Sequence, residues 1–184
     1  PPEVYPVSEE QRKKAAFHEA GHAAMLELVA PGSTAFVTLL YSPTSGSCYG
    51  FAYRNRPLGR RANILTFLSG KAAYELQFGR MGPGCNDDIT RAAKLIREKA
   101  EELGGSGMLG VNVSGRYADS EAGLLERETI VRAELERYLF EAKEMLASHR
   151  QMVQELAEAL LEKQTLLHSE IQAICGRYRA VPAA

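Results

Sequence analysis

At 184 residues and 45% hydrophobic content, the chain suffices for one compact domain with an ordinary core, which excludes disorder throughout. Lys plus Arg number 22 against 23 Asp plus Glu, so the near-zero balance gives no electrostatic handle on nucleic acid or an anionic membrane surface. No apolar run approaches the roughly 20 residues of a membrane span, and the Pro-Pro start is not a signal peptide. Cys48, Cys85 and Cys175 are odd in number and far apart, which fits a reducing compartment better than a disulfide framework. The chain as given is expected to be soluble, and Pro1, not being an initiator methionine, leaves room for it to be a piece of a longer protein.

Ser8-Glu9-Glu10-Gln11 has the capping-box pattern and opens a helix that runs through Phe17, Met25, Leu26 and Val29 to a stop at Pro31-Gly32. Thr34 to Tyr41 and Cys48 to Arg54 are rich in β-branched and aromatic residues and flank Ser42-Pro43-Thr44-Ser45-Gly46, so they read as a hairpin. A second helix is expected from near Pro57, with Ile64, Leu65, Leu68, Ala72 and Leu76 on its apolar side and an end near Gly79; Gly70 inside it signals a close helix contact. Gly79 to Gly84 is turn-like, Asp87 or Asp88 can cap a third helix, and Gly104-Gly105 signals its end. After an irregular Gly-rich stretch from Ser106 to Ala122, Leu124 to Tyr178 reads as a C-terminal helical bundle with turns around Ser148-His149 and Gln164-Thr165. The fold class is therefore mainly α with a small β-hairpin. Residues 1–122 form a core carrying the chemistry, and 123–184 a helical region packed on it as one domain.

His18-Glu19-Ala20-Gly21-His22 lies mid-helix in the first element. Two histidines four apart are separated by about 40° around the axis and about one turn along it, so both imidazoles can meet one ion. Zinc accepts neutral imidazole nitrogen and keeps an open position for water when the protein supplies only three ligands. Glu19, beside the first histidine, can take a proton from the zinc-bound water as it attacks a peptide carbonyl and hand it to the leaving amine. Gly21, having no side chain, lets another element approach this face of the helix.

The third ligand is not in the same helix. A metzincin would place Gly and His where this chain has Met25 and Leu28. His149 and His168 sit in the C-terminal helices, where surface or packing roles suffice for them. The carboxylates of interest are Glu75 on the second helix and Asp87 or Asp88 at the start of the third.

The string Ala16-Phe17-His18-Glu19-Ala20-Gly21-His22-Ala23 resembles the start of the peptidase domain of FtsH-type ATP-dependent zinc metalloproteases. Val37-Thr38, Gly70-Lys71-Ala72-Ala73-Tyr74-Glu75, Asn86-Asp87-Asp88-Ile89 and Ala157 to Leu166 are similar to later family segments in the same order, so the likeness runs from about Ser8 to Ile174. The resemblance implies a mostly helical zinc peptidase with Asp88 as third ligand and Asp87 as its competitor. It implies Glu75 as a group that orients a histidine, with an ordinary solvated helix carboxylate the equal alternative. Tyr74 and Ser69 depart from the family pattern, as does the Met81-Gly82-Pro83-Gly84-Cys85 approach; Cys85 reads as a small packed or loop thiol, though it is close enough in sequence to reach the metal. The resemblance further implies a homo-oligomer, hexameric in the family, coupled to an ATPase unfoldase at the cytoplasmic face of a membrane. No phosphate-binding loop is present, since Gly70-Lys71 is followed by Ala72 and preceded by Leu65 where the motif needs Gly, so this chain should not hydrolyse ATP.

The expected function is hydrolysis of peptide bonds in unfolded or flexible protein, with one zinc ion per chain and Glu19 as base. The alternative is an inactive zinc-containing oligomerisation module. Cys48 to Arg54 either presents an edge strand to which an extended peptide adds, or packs Tyr49, Phe51 and Tyr53 against a helix.

Overall fold

The computed structural model describes residues 6–42, 44–79, 85–102 and 120–179, the side chains of 100–102 excepted. Among these residues, six α-helices and a three-stranded antiparallel sheet make a mainly α domain. Helix α1 (Glu9–Val29) begins on the capping box: the Gln11 N–H donates to Ser8 Oγ (3.2 Å) and the Ser8 N–H to Gln11 Oε1 (2.9 Å), satisfying two of the free donors of a helix start. Its second half, from Ala16 to Glu27, is buried almost throughout, so the helix is the spine of the domain.

Strands β1 (Thr34–Ser42) and β2 (Ser47–Arg54) form the expected hairpin. Among the described residues β2 pairs with β1 alone, because a third strand, β3 (Thr165–Leu167), adds to the other side of β1 and gives the order β2-β1-β3. The turn read at Gln164-Thr165 is thus also a strand start. Gln164 takes φ 64°, donates from its side chain to the Leu39 carbonyl (3.1 Å) and accepts the Leu39 N–H on its own carbonyl (2.8 Å), which docks the chain beside β1. The sheet turns Val37, Leu39 and Leu166 into the core. Tyr49, Phe51 and Tyr53 are 54%, 43% and 58% exposed, so they do not pack β2 against a helix; Phe36 instead stacks on Tyr53 (5.5 Å between centroids) and meets Phe51 edge-on (5.7 Å).

Helix α2 (Arg60–Phe78) ends where Gly79 enters the left-handed region at φ 77°. It crosses α1 closely at Gly21, where a Cβ would stand 2.5 Å from Ala73 Cβ and 2.6 Å from the Ser69 carbonyl oxygen. Helix α3 (Asn86–Glu102) starts earlier than the aspartates suggested: the Ile89 N–H donates to the Cys85 carbonyl (3.0 Å), so Cys85 is the cap residue and Asp87 and Asp88 lie in the first turn. The approach at 80–84, the stop at Gly104-Gly105 and most of the Ser106–Ala122 stretch lie outside the described residues. Helices α4 (Glu121–Ala147), α5 (Arg150–Lys163) and α6 (His168–Cys175) complete the fold. They pack less on one another than on what precedes them, α4 against α2 and α3 and α5 against α1, and one cluster of buried side chains runs from Ala16 to Cys175.

Glu27 ties the end of α1 to the C-terminal residues. Its carboxylate accepts the Gly32 N–H (2.7 Å), the Thr34 N–H (3.0 Å) and an Arg179 guanidinium N–H (2.8 Å). Burial raises this carboxyl, but the hydrogen bonds from Gly32 and Thr34 outweigh it and hold it below the ordinary range. A lowered folded-state value stabilises the fold above the unfolded value and is lost as pH falls through the folded one. Glu27→Gln is therefore expected to cost about 1–3 kcal/mol at pH 7, the cost of leaving buried donors without an acceptor. The gap from wild type should narrow below about pH 4 as the native carboxylate protonates. Thermal unfolding of both proteins at pH 7 and pH 3 checks this; an equal gap at both would sink it.

Candidate metal centre

Helix α1 presents His18 and His22 on one face, and the first turn of α3 brings Asp88 over them. The three ligand atoms form a nearly equilateral triangle: His18 Nε2 to His22 Nε2 is 3.0 Å, and Asp88 Oδ2 lies 3.3 Å from each. Ligands held about 2.0–2.1 Å from one tetrahedral ion stand roughly 3.3 Å apart, so the triangle has the size zinc requires. Among the described residues this is the one group of three His, Cys, Asp or Glu side chains so placed. Asp87, also in the first turn, is exposed and outside the group.

The His22 ring is locked from behind. Its Nδ1–H donates to the Thr66 carbonyl (2.7 Å), which leaves Nε2 with a lone pair facing the triangle. The Ser69 hydroxyl donates to the same carbonyl (2.6 Å) and lies 3.4 Å from Nδ1. Two lone-pair nitrogens and a carboxylate oxygen facing one another are mutually unfavourable until a cation or a proton lies between them. Burial lowers both imidazoles. At His18 it prevails, whereas at His22 the contact with Asp88, the charge of Glu19 and the Thr66 carbonyl push it up to about 9. Burial also raises Asp88, yet its contacts with the two histidines hold it far below the carboxylate range. A proton at His22 thus occupies the place a metal ion would take.

Glu19 is 4% exposed, burial pushes its carboxyl up to about 7, and its Oε2 has no hydrogen-bond partner among the described residues. An unpartnered buried carboxylate oxygen beside a metal-sized triangle fits a site built to hold a reacting water. Two glycines make room for it. A Cβ on Gly70 would stand 2.5 Å from His22 Nε2 and 2.7 Å from His18 Nε2, so the glycine read as a helix contact in fact cradles the ligand nitrogens. A Cβ on Gly50 of β2 would stand 2.7 Å from Glu19 Cγ, so the edge strand lies directly on the carboxylate.

Glu75, read either as orienting a histidine or as an ordinary helix carboxylate, has two lysine partners. Its carboxylate pairs with Lys71 and Lys143, bridging α2 to α4, while the group holding His22 is a backbone carbonyl. The physical reason is proximity of two ammonium groups, which outcompete a neutral imidazole for a carboxylate. His149 and His168 donate from Nδ1 to the Met145 (2.9 Å) and Thr34 (2.7 Å) carbonyls, away from the centre. Cys85 Sγ lies 3.9 Å from His18 Nδ1, on the ring edge opposite the triangle, so it does not join the three ligand atoms. Sequence reasoning missed Thr66 and Gly50. Thr66 acts through its backbone, which carries no residue signature, though it stands one turn before Gly70 on the same face of α2.

A mainly helical domain with two histidines one turn apart, a glutamate between them and an acidic residue closing the triangle defines a metallopeptidase of the His-Glu-x-x-His class. The model for peptidase family M41 matches residues 5–174, and the chain belongs to that family. It is similar to the ATP-dependent zinc metalloprotease FtsH 4 of Sorangium cellulosum, at 31% identity over 92% of this chain and 30% of the relative. FtsH 3 of the same organism is 33% identical over 91% of the chain and 29% of the relative, and FtsH of Thermobaculum terrenum 30% identical over 92% and 29%. The chain spans less than a third of the length of these relatives. No helix among the described residues is long and apolar enough to cross a membrane.

Proposed function

We propose that the chain is a zinc endopeptidase domain acting on unfolded or flexible protein, with His18 Nε2, His22 Nε2 and Asp88 Oδ2 holding the ion and Glu19 serving as general base. The observation that carries this reading is the ligand triangle beside a buried carboxylate with an unpartnered oxygen. Zinc, when bound, supplies a Lewis acid that polarises the scissile carbonyl and makes water a nucleophile near neutral pH. Glu19 accepts the proton of the attacking water and returns it to the leaving amine nitrogen, and its burial keeps bulk water from competing for it. Thr66 keeps the proton of His22 on Nδ1 and so its Nε2 free. An inactive module with a structural ion is the weaker reading, since it has no use for Glu19 in this position.

The substrate is proposed to add to the edge of β2 that no described strand occupies. Leu39 spends both its N–H and its C=O on Gln164, so its partner Gly50, and by alternation Ala52, turn their backbone groups away from β1 toward the open cleft that passes His18 and Glu19. Ala52→Pro removes one outward donor without touching the ladder. It is expected to lower kcat/KM on an unfolded substrate about tenfold, the worth of one well-made hydrogen bond. Zinc content should be unchanged, and unaltered turnover would rule out strand addition.

The relatives' names, ATP-dependent zinc metalloproteases, and their greater length support coupling to an ATP-driven module in a longer chain; a place at the cytoplasmic face of a membrane rests on the family resemblance alone. A homo-oligomer, hexameric, rests on the family resemblance. The direct test is casein hydrolysis without ATP together with zinc content for the wild type and Asp88→Asn. Cleavage by the wild type, and loss of both zinc and cleavage in Asp88→Asn, are expected. Zinc held by a wild type that does not cleave would sink the stand-alone peptidase reading.

A further inference from the structure

The two imidazoles at the centre are held from behind by unlike groups. For His22 the group is the Thr66 carbonyl at 2.7 Å; for His18 it is the sulfur of Cys85, 3.9 Å from Nδ1. Once Nε2 of His18 is turned to an ion, the ring's remaining proton sits on Nδ1, so this N–H donates and the sulfur accepts. Sulfur is a weak acceptor, but Cys85 is 2% exposed and water is kept from the contact.

A second observation ties the same residue to another corner of the triangle. The Cys85 carbonyl accepts the Ile89 N–H (3.0 Å), the first hydrogen bond of α3, whose first turn carries Asp88. Cys85 thus touches His18 with its side chain and sets the start of the Asp88 helix with its backbone. Glu75, the other candidate for orienting a histidine, is taken up by Lys71 and Lys143.

We infer that Cys85 is a positioning residue that fixes the His18 ring relative to Asp88 and thereby raises the zinc affinity of the centre. It is not itself a ligand, because its sulfur faces Nδ1 while Nε2 faces the triangle. The inference rests on the zinc reading above and concerns metal retention, not the chemical step.

The test compares zinc affinity, by competition with a chelator of known strength, for the full chain and for Cys85→Val and Cys85→Ser. Valine fills the same space without an acceptor; serine keeps an acceptor on a shorter arm. Cys85→Val is expected to bind zinc about 10-fold or more weakly, the usual cost of removing a group that orients a metal-binding histidine, and Cys85→Ser, whose shorter arm sets its oxygen farther from Nδ1, to recover part of that loss. Thermal unfolding of the zinc-free proteins shows whether each folds, and if Cys85→Val does not, Cys85→Ala takes its place with the same expectation. Zinc binding by the valine variant as tight as by the serine variant overturns the role of Cys85 and leaves the metal centre standing. A folded wild type that takes up no zinc overturns both.

Discussion

Glu19→Gln is expected to bind zinc at the wild-type level and to lose peptide-bond hydrolysis by roughly 10²–10⁴-fold, the range a positioned general base supplies. Glutamine has the shape of glutamate but cannot accept the proton of the attacking water. Nothing else need change: Glu19 is outside the ligand triangle, and among the described residues its Oε2 makes no hydrogen bond that the substitution could break. Exchanging a carboxyl that burial has already pushed up to about 7 for a neutral amide removes a charge the pocket disfavours, so the fold should not be weakened. Zinc content, thermal unfolding and turnover of an unfolded substrate, measured on one preparation, separate these effects. Turnover within tenfold of the wild type would place the base elsewhere, and loss of zinc would mean that Glu19 holds the ion.

How far the sequence revealed this site depended on whether spacing or tertiary contact placed each residue. His18, Glu19 and His22 share one helix, and the 3.6-residue period alone brings the imidazoles together. Asp88 is 66 residues beyond His22, and no periodicity links them; resemblance to known peptidases singled it out, and the α3 start then brought it within 3.3 Å of both rings. Thr66 holds His22 through a carbonyl that any residue type would supply, and β3 is a three-residue strand too short for an alternating pattern. Both became visible only in three dimensions. Cys85 illustrates an intermediate case, in which the residue was noticed and its role was not. A thiol near the aspartates read first as a small packed residue, with intrusion on the metal as the alternative, and the geometry sets it, buried, behind His18.

The hairpin and the helix ends were more legible, because turn and cap chemistry is local. Ser8 and Gln11 form the capping box their spacing announced, and Gly79 ends α2 in the left-handed conformation that glycine adopts at little cost. Gly70 was legible only in part. A mid-helix glycine signals that something comes close, and a sequence cannot say that the close object is a pair of imidazoles.

That distinction gives the second large effect. On propensity alone Gly70→Ala should stabilise α2 by about 1 kcal/mol. The new methyl would stand 2.5 Å from His22 Nε2, 2.6 Å from His18 Cε1 and 2.7 Å from His18 Nε2, distances at which the rings must move. His22 cannot turn aside without breaking its hydrogen bond to Thr66, on the same face of α2, so the strain falls on the ligand triangle. Overpacking of this kind costs about 1–3 kcal/mol, which offsets the propensity gain and leaves the zinc-free fold near wild-type stability or slightly below it. Zinc binding should fall much further, by roughly 100-fold, as when the supports of metal-binding histidines are lost. Chelator competition and unfolding of the zinc-free protein measure the two effects separately. Undiminished zinc affinity would show that α1 and α2 can part enough to admit a methyl group, and that the close fit at Gly70 is not needed to hold the metal.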